Sequence, residues 1–223
     1  NIADRINCYS GKLAADDEQE EEWIGCPLVV HRRCLEPMFS ISNDISYGKI
    51  MVNRACYDVD EEVLINKKSL WIDVTGTERG GKNHFVKEQG EVVSTLLKIH
   101  ADRNGELGDL FIISPFRTVS NGIKEVLKKV FPGQESWIYK HCGTVHTFQG
   151  KEAKEVIYLL GCDAGSTGAV EWVNKNNINV AVTRAKQRIY FVGDKELWKN
   201  NTIMRNAMKY VETVKKEQIV AKV

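Results

Sequence analysis

Three runs in this chain are apolar at every position: Leu110-Phe111-Ile112-Ile113, Val156-Ile157-Tyr158-Leu159-Leu160 and Ile189-Tyr190-Phe191-Val192. A half-exposed strand alternates apolar and polar residues. A short continuous apolar run rich in β-branched and aromatic side chains is a strand covered on both faces. Between the runs the spacing changes. Val92, Val93, Leu96, Leu97 and Ile99 fall at helical intervals within residues 86–100, and a second helix over residues 119–130 is stopped by Phe131-Pro132-Gly133. Strands that alternate with helices predict an α/β fold: a mainly parallel sheet covered by helices on both faces.

The remaining elements are read the same way. Pro27-Leu28-Val29-Val30, residues 69–74 and Ser136-Trp137-Ile138-Tyr139 read as strands, and residues 202–214 as a lysine-bearing C-terminal helix. Val180 and Arg184 stand four apart on a predicted short helix that runs into the Ile189 strand. A planar cation fixed there suits a phosphate, whereas a basic surface helix bearing Arg184, Lys186 and Arg188 would be merely solvated. Residues 1–25 are polar, with an acidic run over 16–22, and are expected to be a lead-in or linker. The expected division is therefore a lead-in over 1–25, one α/β domain over 26–200 and a C-terminal helix over 201–223.

Charge excludes a basic coat. With 31 Lys and Arg against 30 Asp and Glu, any nucleic-acid contact must be a local groove. No apolar run is long enough to span a bilayer and no charged-then-apolar leader opens the sequence, so a cytoplasmic protein without a membrane partner is expected. The six cysteines form no C-x-x-C pair and read as free thiols in a reducing compartment, and no metal site is expected from their spacing.

One loop imitates a phosphate-binding motif. Gly76 to Asn83 comes within one residue of G-x-x-x-x-G-K-[ST], after a strand and before a helix. Asn83 stands where a hydroxyl must reach magnesium, and no later strand ends in an Asp-Glu pair. The loop is expected to be a Gly-rich surface connection.

Three stretches, HRRCLEPMFSIS from His31, TVHTFQGKEAKEV from Thr144 and NVAVTRAKQRIYFVGD from Asn179, occur in this order. Together they resemble motifs IV, V and VI of superfamily 1 helicases of the up-frameshift-like branch. Ser114-Pro115-Phe116-Arg117 is similar to the accessory motif between IV and V. The resemblance covers residues 28–194 and implies a RecA-like, P-loop NTPase-type domain without its own P-loop: the second motor domain of such an enzyme.

The resemblance also implies roles. Arg33 and Arg184 match the two arginines that reach the γ-phosphate of ATP, whose Mg2+ is held by the preceding RecA-like domain. Glu152 corresponds to the carboxylate that binds ribose hydroxyls, with Gln149 and Gly150 turning the backbone toward the nucleotide. Arg32 stands where the family more often has an aromatic residue. Thr144, His146 and Thr147 match the half of motif V that grips the backbone of single-stranded DNA or RNA, and Pro115 and Phe116 offer a base-stacking surface. The implied function is an ATP-dependent helicase or translocase whose isolated second domain is inactive. The alternative is a nucleic-acid-binding or docking module that keeps the fold without driving a motor.

Overall fold

Val156, Ile157, Tyr158 and Leu159 lie beside Ile189, Tyr190, Phe191 and Val192, and all eight are fully buried. They form the centre of a six-stranded sheet in the computed structural model of the protein, which describes residues 11–14, 21–24, 29–58, 64, 67–78, 80 and 83–220. Two short pieces precede the sheet. Strands β1 (Gly11–Ala14) and β2 (Glu21–Ile24) pair antiparallel, and β3 (Val30–His31) pairs in parallel with β4 (Val52–Asn53), with helix α1 (Met38–Ser46) between them.

The main sheet comprises β5 (Leu70–Asp73), β6 (Leu110–Ser114), β7 (Cys142–Thr144), β8 (Ala153–Leu159), β9 (Ala185–Gly193) and β10 (Glu212–Lys215). Their order is β10-β5-β9-β8-β6-β7, and every pairing is parallel. Parallel neighbours need crossovers, and helices supply them. Helix α2 (Lys87–Asn104) joins β5 to β6, and α3 (Arg117–Val130) with α4 (Glu135–His141) joins β6 to β7. Helices α5 (Thr167–Trp172) and α6 (Lys175–Val182) join β8 to β9, and α7 (Lys195–Trp198) with α8 (Thr202–Ala207) joins β9 to β10. Helix α9 (Lys216–Val220) follows β10. Both faces are covered, as the continuous apolar runs predict: β8 and β9 are buried at every position except Lys154 and Lys186.

The fold departs from the sequence expectations in four places. Residues 136–139 are helix α4, not a strand. Trp137 and His141, one turn apart, stack at 4.5 Å, and the His141 Nδ1–H donates to the Leu110 carbonyl at 2.7 Å. The edge strand begins only at Cys142. Residues 202–214 are not one helix: α8 ends at Ala207, and Glu212 to Lys215 add a strand against β5. The segment over 1–25, expected as a polar lead-in or linker, contains two short paired strands. Finally, Lys186 and Arg188 lie on β9 rather than on a basic helix.

Arg188 is 2% exposed, which only a built environment makes tolerable. Its Nη1 donates to Glu155 Oε1 at 3.2 Å and to Gln187 Oε1 at 3.1 Å. The Tyr190 hydroxyl donates to the same Glu155 oxygen at 2.9 Å, and the Leu64 N–H donates to Oε2, also at 2.9 Å. Burial pushes the Glu155 carboxyl above its usual range, and Tyr190 and Arg188 draw it back. Removing one partner strands a buried charge. Glu155→Ala should destabilise the chain by about 3–5 kcal/mol, read as a lower midpoint in urea at an unchanged slope. Replacing both partners, Glu155→Leu with Arg188→Met, should recover most of that loss.

Candidate functional site

Arg184 lies just beyond α6, in the turn that enters β9, and not on the helix itself. Four neighbours hold its guanidinium. Nε donates to the Val180 carbonyl at 3.2 Å, realising the i, i+4 spacing, and Nη2 donates to Thr183 Oγ1 at 3.3 Å. Nη1 donates to the Phe148 carbonyl at 3.3 Å and to the Lys151 carbonyl at 3.0 Å. The residue is 6% exposed, and burial, followed by the neighbouring Arg33 cation, pushes its pKa below the ordinary arginine value. It is a cation held in place and short of anions.

Glu152 supplies the nearest carboxylate. Its Oε1 lies 2.6 Å from Lys186 Nζ, and its Oε2 lies 3.9 Å from Arg33 Nε. Hence Arg33 and Lys186 both face the Glu152 carboxylate, whose charge also acts on Arg184. Glu152 precedes β8 and Arg184 precedes β9, so this cluster sits at the N-terminal ends of the central strands. That differs from open α/β sheets, which bind ligands at the C-terminal ends.

Arg33 comes from the segment after β3. The Leu35 N–H donates to the Lys186 carbonyl at 2.8 Å, fixing this segment to β9, and Ser42 Oγ donates to Asn179 Oδ1 at 2.6 Å, fixing α1 to α6. Locally the chain closes on itself around the two arginines: the Cys34 N–H donates to His31 Nε2 at 3.0 Å, and the Cys34 thiol lies at the same distance. The Arg32 side chain is exposed, and its carbonyl accepts from the Tyr57 hydroxyl at 3.1 Å.

The loop between β7 and β8 links this cluster to the other end of the sheet. Leu110 of β6 is level with Glu155, and Ser114 with Thr144, so Thr144 and Glu152 stand about seven positions, or about 20 Å, apart along the strands. Phe148 anchors the loop midway: it is fully buried and stacks on Phe111 at 4.3 Å. Gln149 and Gly150 are exposed beyond it, and Gly150 takes a left-handed φ of 85°. At the far end the Thr147 N–H donates to the Thr144 carbonyl at 2.9 Å and the Thr144 N–H to Thr147 Oγ1 at 3.2 Å, leaving His146 and Thr147 exposed.

Pro115 and Phe116 also lie at that C-terminal end, but both are buried. Phe116 is wedged between His84, at 4.7 Å, and Trp172, at 6.1 Å. The open aromatic surface therefore belongs to Trp172, which is 60% exposed and which residue spacing alone does not single out. Lys186 is the other residue the sequence reading missed; its approach to Glu152 needs strands β8 and β9 side by side. In the Gly76 to Asn83 loop, Lys82 lies outside the described residues. Helix α2 starts only at Lys87, so Asn83 does not open a helix as a phosphate loop requires. Nor is the loop a plain surface connection, since Glu78 within it is buried.

Fold and site together define a parallel α/β domain that presents fixed cations at one end and a turn of threonines at the other. Residues 7–196 match the family model described as an AAA domain, and the chain belongs to that family. Among curated relatives it is 25% identical over 167 residues to the uncharacterized ATP-dependent helicase MJ0104 of Methanocaldococcus jannaschii, covering 72% of this chain and 23% of that protein. It is 31% identical over 104 residues to the probable helicase MAGATAMA 3 of Arabidopsis thaliana, covering 46% of this chain and 12% of the relative. It is 28% identical over 124 residues to the DNA-binding protein SMUBP-2 of Rattus norvegicus, covering 54% and 12%. The chain thus spans a quarter or less of these relatives. Among solved structures, arterivirus nonstructural protein 10 (helicase) with DNA aligns at a TM-score of 0.38 and 13% identity, over 78% of this chain and 27% of the other. Two of the curated relatives are themselves named as helicases, in line with the resemblance of the three motifs. Among the described residues, no helix is long and apolar enough to cross a membrane.

The His31 closure makes the site pH-sensitive. Nε2 accepts the Cys34 N–H, so it carries no hydrogen, and burial, followed by the Arg33 cation, lowers the His31 pKa from 6.5. A histidine with a lowered folded pKa contributes fully above the unfolded value. Its contribution is lost as pH falls through the folded value. In an NMR titration His31 should therefore protonate below pH 6.5. The pH dependence of unfolding should flatten in His31→Ala over that acid window.

Proposed function

We propose that this domain is the second RecA-like motor domain of a superfamily 1 helicase or translocase, acting on ATP bound mainly by a preceding domain. The observation that carries this reading is the gathering of three cations, Arg33, the clamped Arg184 and Lys186, around Glu152. A triphosphate brought against the N-terminal ends of β8 and β9 would meet them. Arg33, 45% exposed and only loosely paired, is free to turn to a γ-phosphate, where a positioned arginine stabilises charge on the equatorial oxygens. Glu152 would accept from ribose hydroxyls, with Gln149 and Gly150 shaping the backbone beside it. The Mg2+ that accompanies ATP would be held by the preceding domain.

Arg184 serves a second purpose in this reading. It fastens the β7–β8 loop by the Phe148 and Lys151 carbonyls, and the same loop ends in Thr144, His146 and Thr147, the proposed grip on a single strand of DNA or RNA. Trp172, backed by Phe116, would stack a base at that end. Stacking of this kind contributes about 1–3 kcal/mol per base.

ATP turnover should appear only when the chain is extended through the preceding domain, and should rise with single-stranded DNA or RNA. In that protein Arg33→Ala should cut turnover by about 10³-fold or more while leaving strand affinity unchanged, and Arg184→Ala should lower both. Hydrolysis by the 223-residue chain alone, or full turnover in Arg33→Ala, would overturn the reading. A non-motor docking module would show strand binding with no turnover in either form. In a Trp23→Phe, Trp137→Phe background the other remaining tryptophans, Trp71 and Trp198, are fully buried, so quenching of tryptophan fluorescence by a bound strand should be largely lost on adding Trp172→Phe. Trp172→Ala should weaken strand binding by about 1–3 kcal/mol.

A further inference from the structure

The expectation of no metal site rests on residue spacing along the chain, and the fold changes that geometry. Glu78, in the loop after β5, His84, before α2, and Cys162, beyond the end of β8, converge so that one ligand atom from each lies within 4.8 Å of the others. We propose that these three residues bind a divalent cation of the zinc class. Carboxylate oxygen, imidazole nitrogen and thiolate sulfur are the donors zinc takes, and three protein ligands leave a fourth position for water.

His84 Nδ1 and Glu78 Oε1 are 3.1 Å apart, a separation that two bonds of about 2.0–2.2 Å to one ion span. In tetrahedral geometry, bonds of about 2.3 Å to sulfur and 2.0 Å to nitrogen or oxygen hold those atoms about 3.5 Å apart, so the thiol needs to move in by up to about 1.3 Å. Glu78 is 8% and Cys162 1% exposed, while the His84 side chain at 23% leaves a path for the ion.

The surroundings point the same way. Buried carboxylates are ordinarily paired with a cation. Among the described residues the only titratable base acting on Glu78 is His84, and Asp163 adds a second acid beside Cys162. A divalent ion would neutralise this excess. The supporting shell is in place. The Ser166 hydroxyl donates to Glu78, the Glu78 N–H to Asp163 Oδ2 at 3.0 Å, and the Cys162 N–H to the His84 carbonyl at 2.8 Å. His84 and Cys162 take φ values of 60° and 67°, a region non-glycine residues rarely adopt, so the chain holds two of the three ligands in strained conformations. Gly161 lies in the same turn, where a Cβ would come within 2.3 Å of the His84 carbonyl oxygen.

Ligation as thiolate would displace the Cys162 proton. The ion would also fix His84, on which Phe116 packs, and so stiffen the support of Trp172.

Cobalt reports on thiolate ligation independently of any enzymatic activity. The chain stripped by chelator, in a Cys8→Ser, Cys26→Ser, Cys56→Ser background, should take up about one Co2+. It should develop a thiolate-to-cobalt absorption band that Zn2+ displaces. Cys162→Ser should abolish the band, and His84→Ala should weaken Co2+ binding by about tenfold or more. Zn2+ should raise the melting temperature of the background chain but not of Cys162→Ser. No band in the background chain, or an equal band in Cys162→Ser, overturns the proposal and leaves a hydrogen-bonded tie between the loops. If Cys162→Ser fails to fold, unchanged Co2+ binding in His84→Ala overturns it equally.

Discussion

The guanidinium of Arg184 organises one end of this domain. Four of its five N–H groups are given to Val180, Thr183, Phe148 and Lys151, three of those acceptors being main-chain carbonyls. Charge-assisted bonds of this kind are stronger than neutral ones, and a buried carbonyl left unpaired costs as much as a lost bond. The clamp therefore does more than position a cation. It holds the β7–β8 loop against the helix that precedes β9, so whatever shifts Arg184 also shifts that loop.

The loop spans the sheet, and this gives the clamp its reach. One end is the Thr144–Thr147 turn beside the C-terminal ends of β6 and β7; the other is Glu152 at the N-terminal end of β8. Phe148, fully buried on Phe111, is a pivot that fixes the middle. A ligand that draws Arg184 away from the Phe148 and Lys151 carbonyls would release two contacts on the same short segment. Coupling between distant groups needs an element with two arrangements that both sites bias. In the proposed function, a loop pinned by a cation that a phosphate would compete for has the form of such an element.

The sheet was legible in the sequence because its centre is desolvated on both faces: Val156 to Leu160 and Ile189 to Val192 are short, β-branched and aromatic runs between turn signals. The edges were not, since an edge strand needs only one apolar neighbour. Glu212 to Lys215 carry no apolar pattern and pair with β5 through the backbone. Trp137 and Ile138 read as strand residues because short apolar runs do not separate strand from helix. In space Trp137 stacks on His141 and turns the segment into a helix. Arg184 and Glu152 were legible as functional candidates through motif order, but their position at the N-terminal strand ends was not, because it depends on where β8 and β9 begin. The Glu78, His84 and Cys162 cluster was invisible for a simpler reason. Glu78 and His84 share one loop, but Cys162 lies far along the chain, and only the crossover through the sheet brings it to them.

Two carboxylates three residues apart, Glu152 just before β8 and Glu155 within it, show how burial separates structure from function. Glu155 and Glu152 each face an arginine and a second polar partner. The Glu155 side chain is 8% and its partner Arg188 2% exposed, so neither can be exchanged without stranding a charge in a medium of low dielectric constant. Glu152 is 41% and Arg33 45% exposed, and water screens their attraction. Little energy binds that pair, so in the proposed reading Arg33 would leave Glu152 for a phosphate at small cost. The chain thus spends its strong ion pair on holding β8 to β9 and keeps its weak one where an anion can arrive.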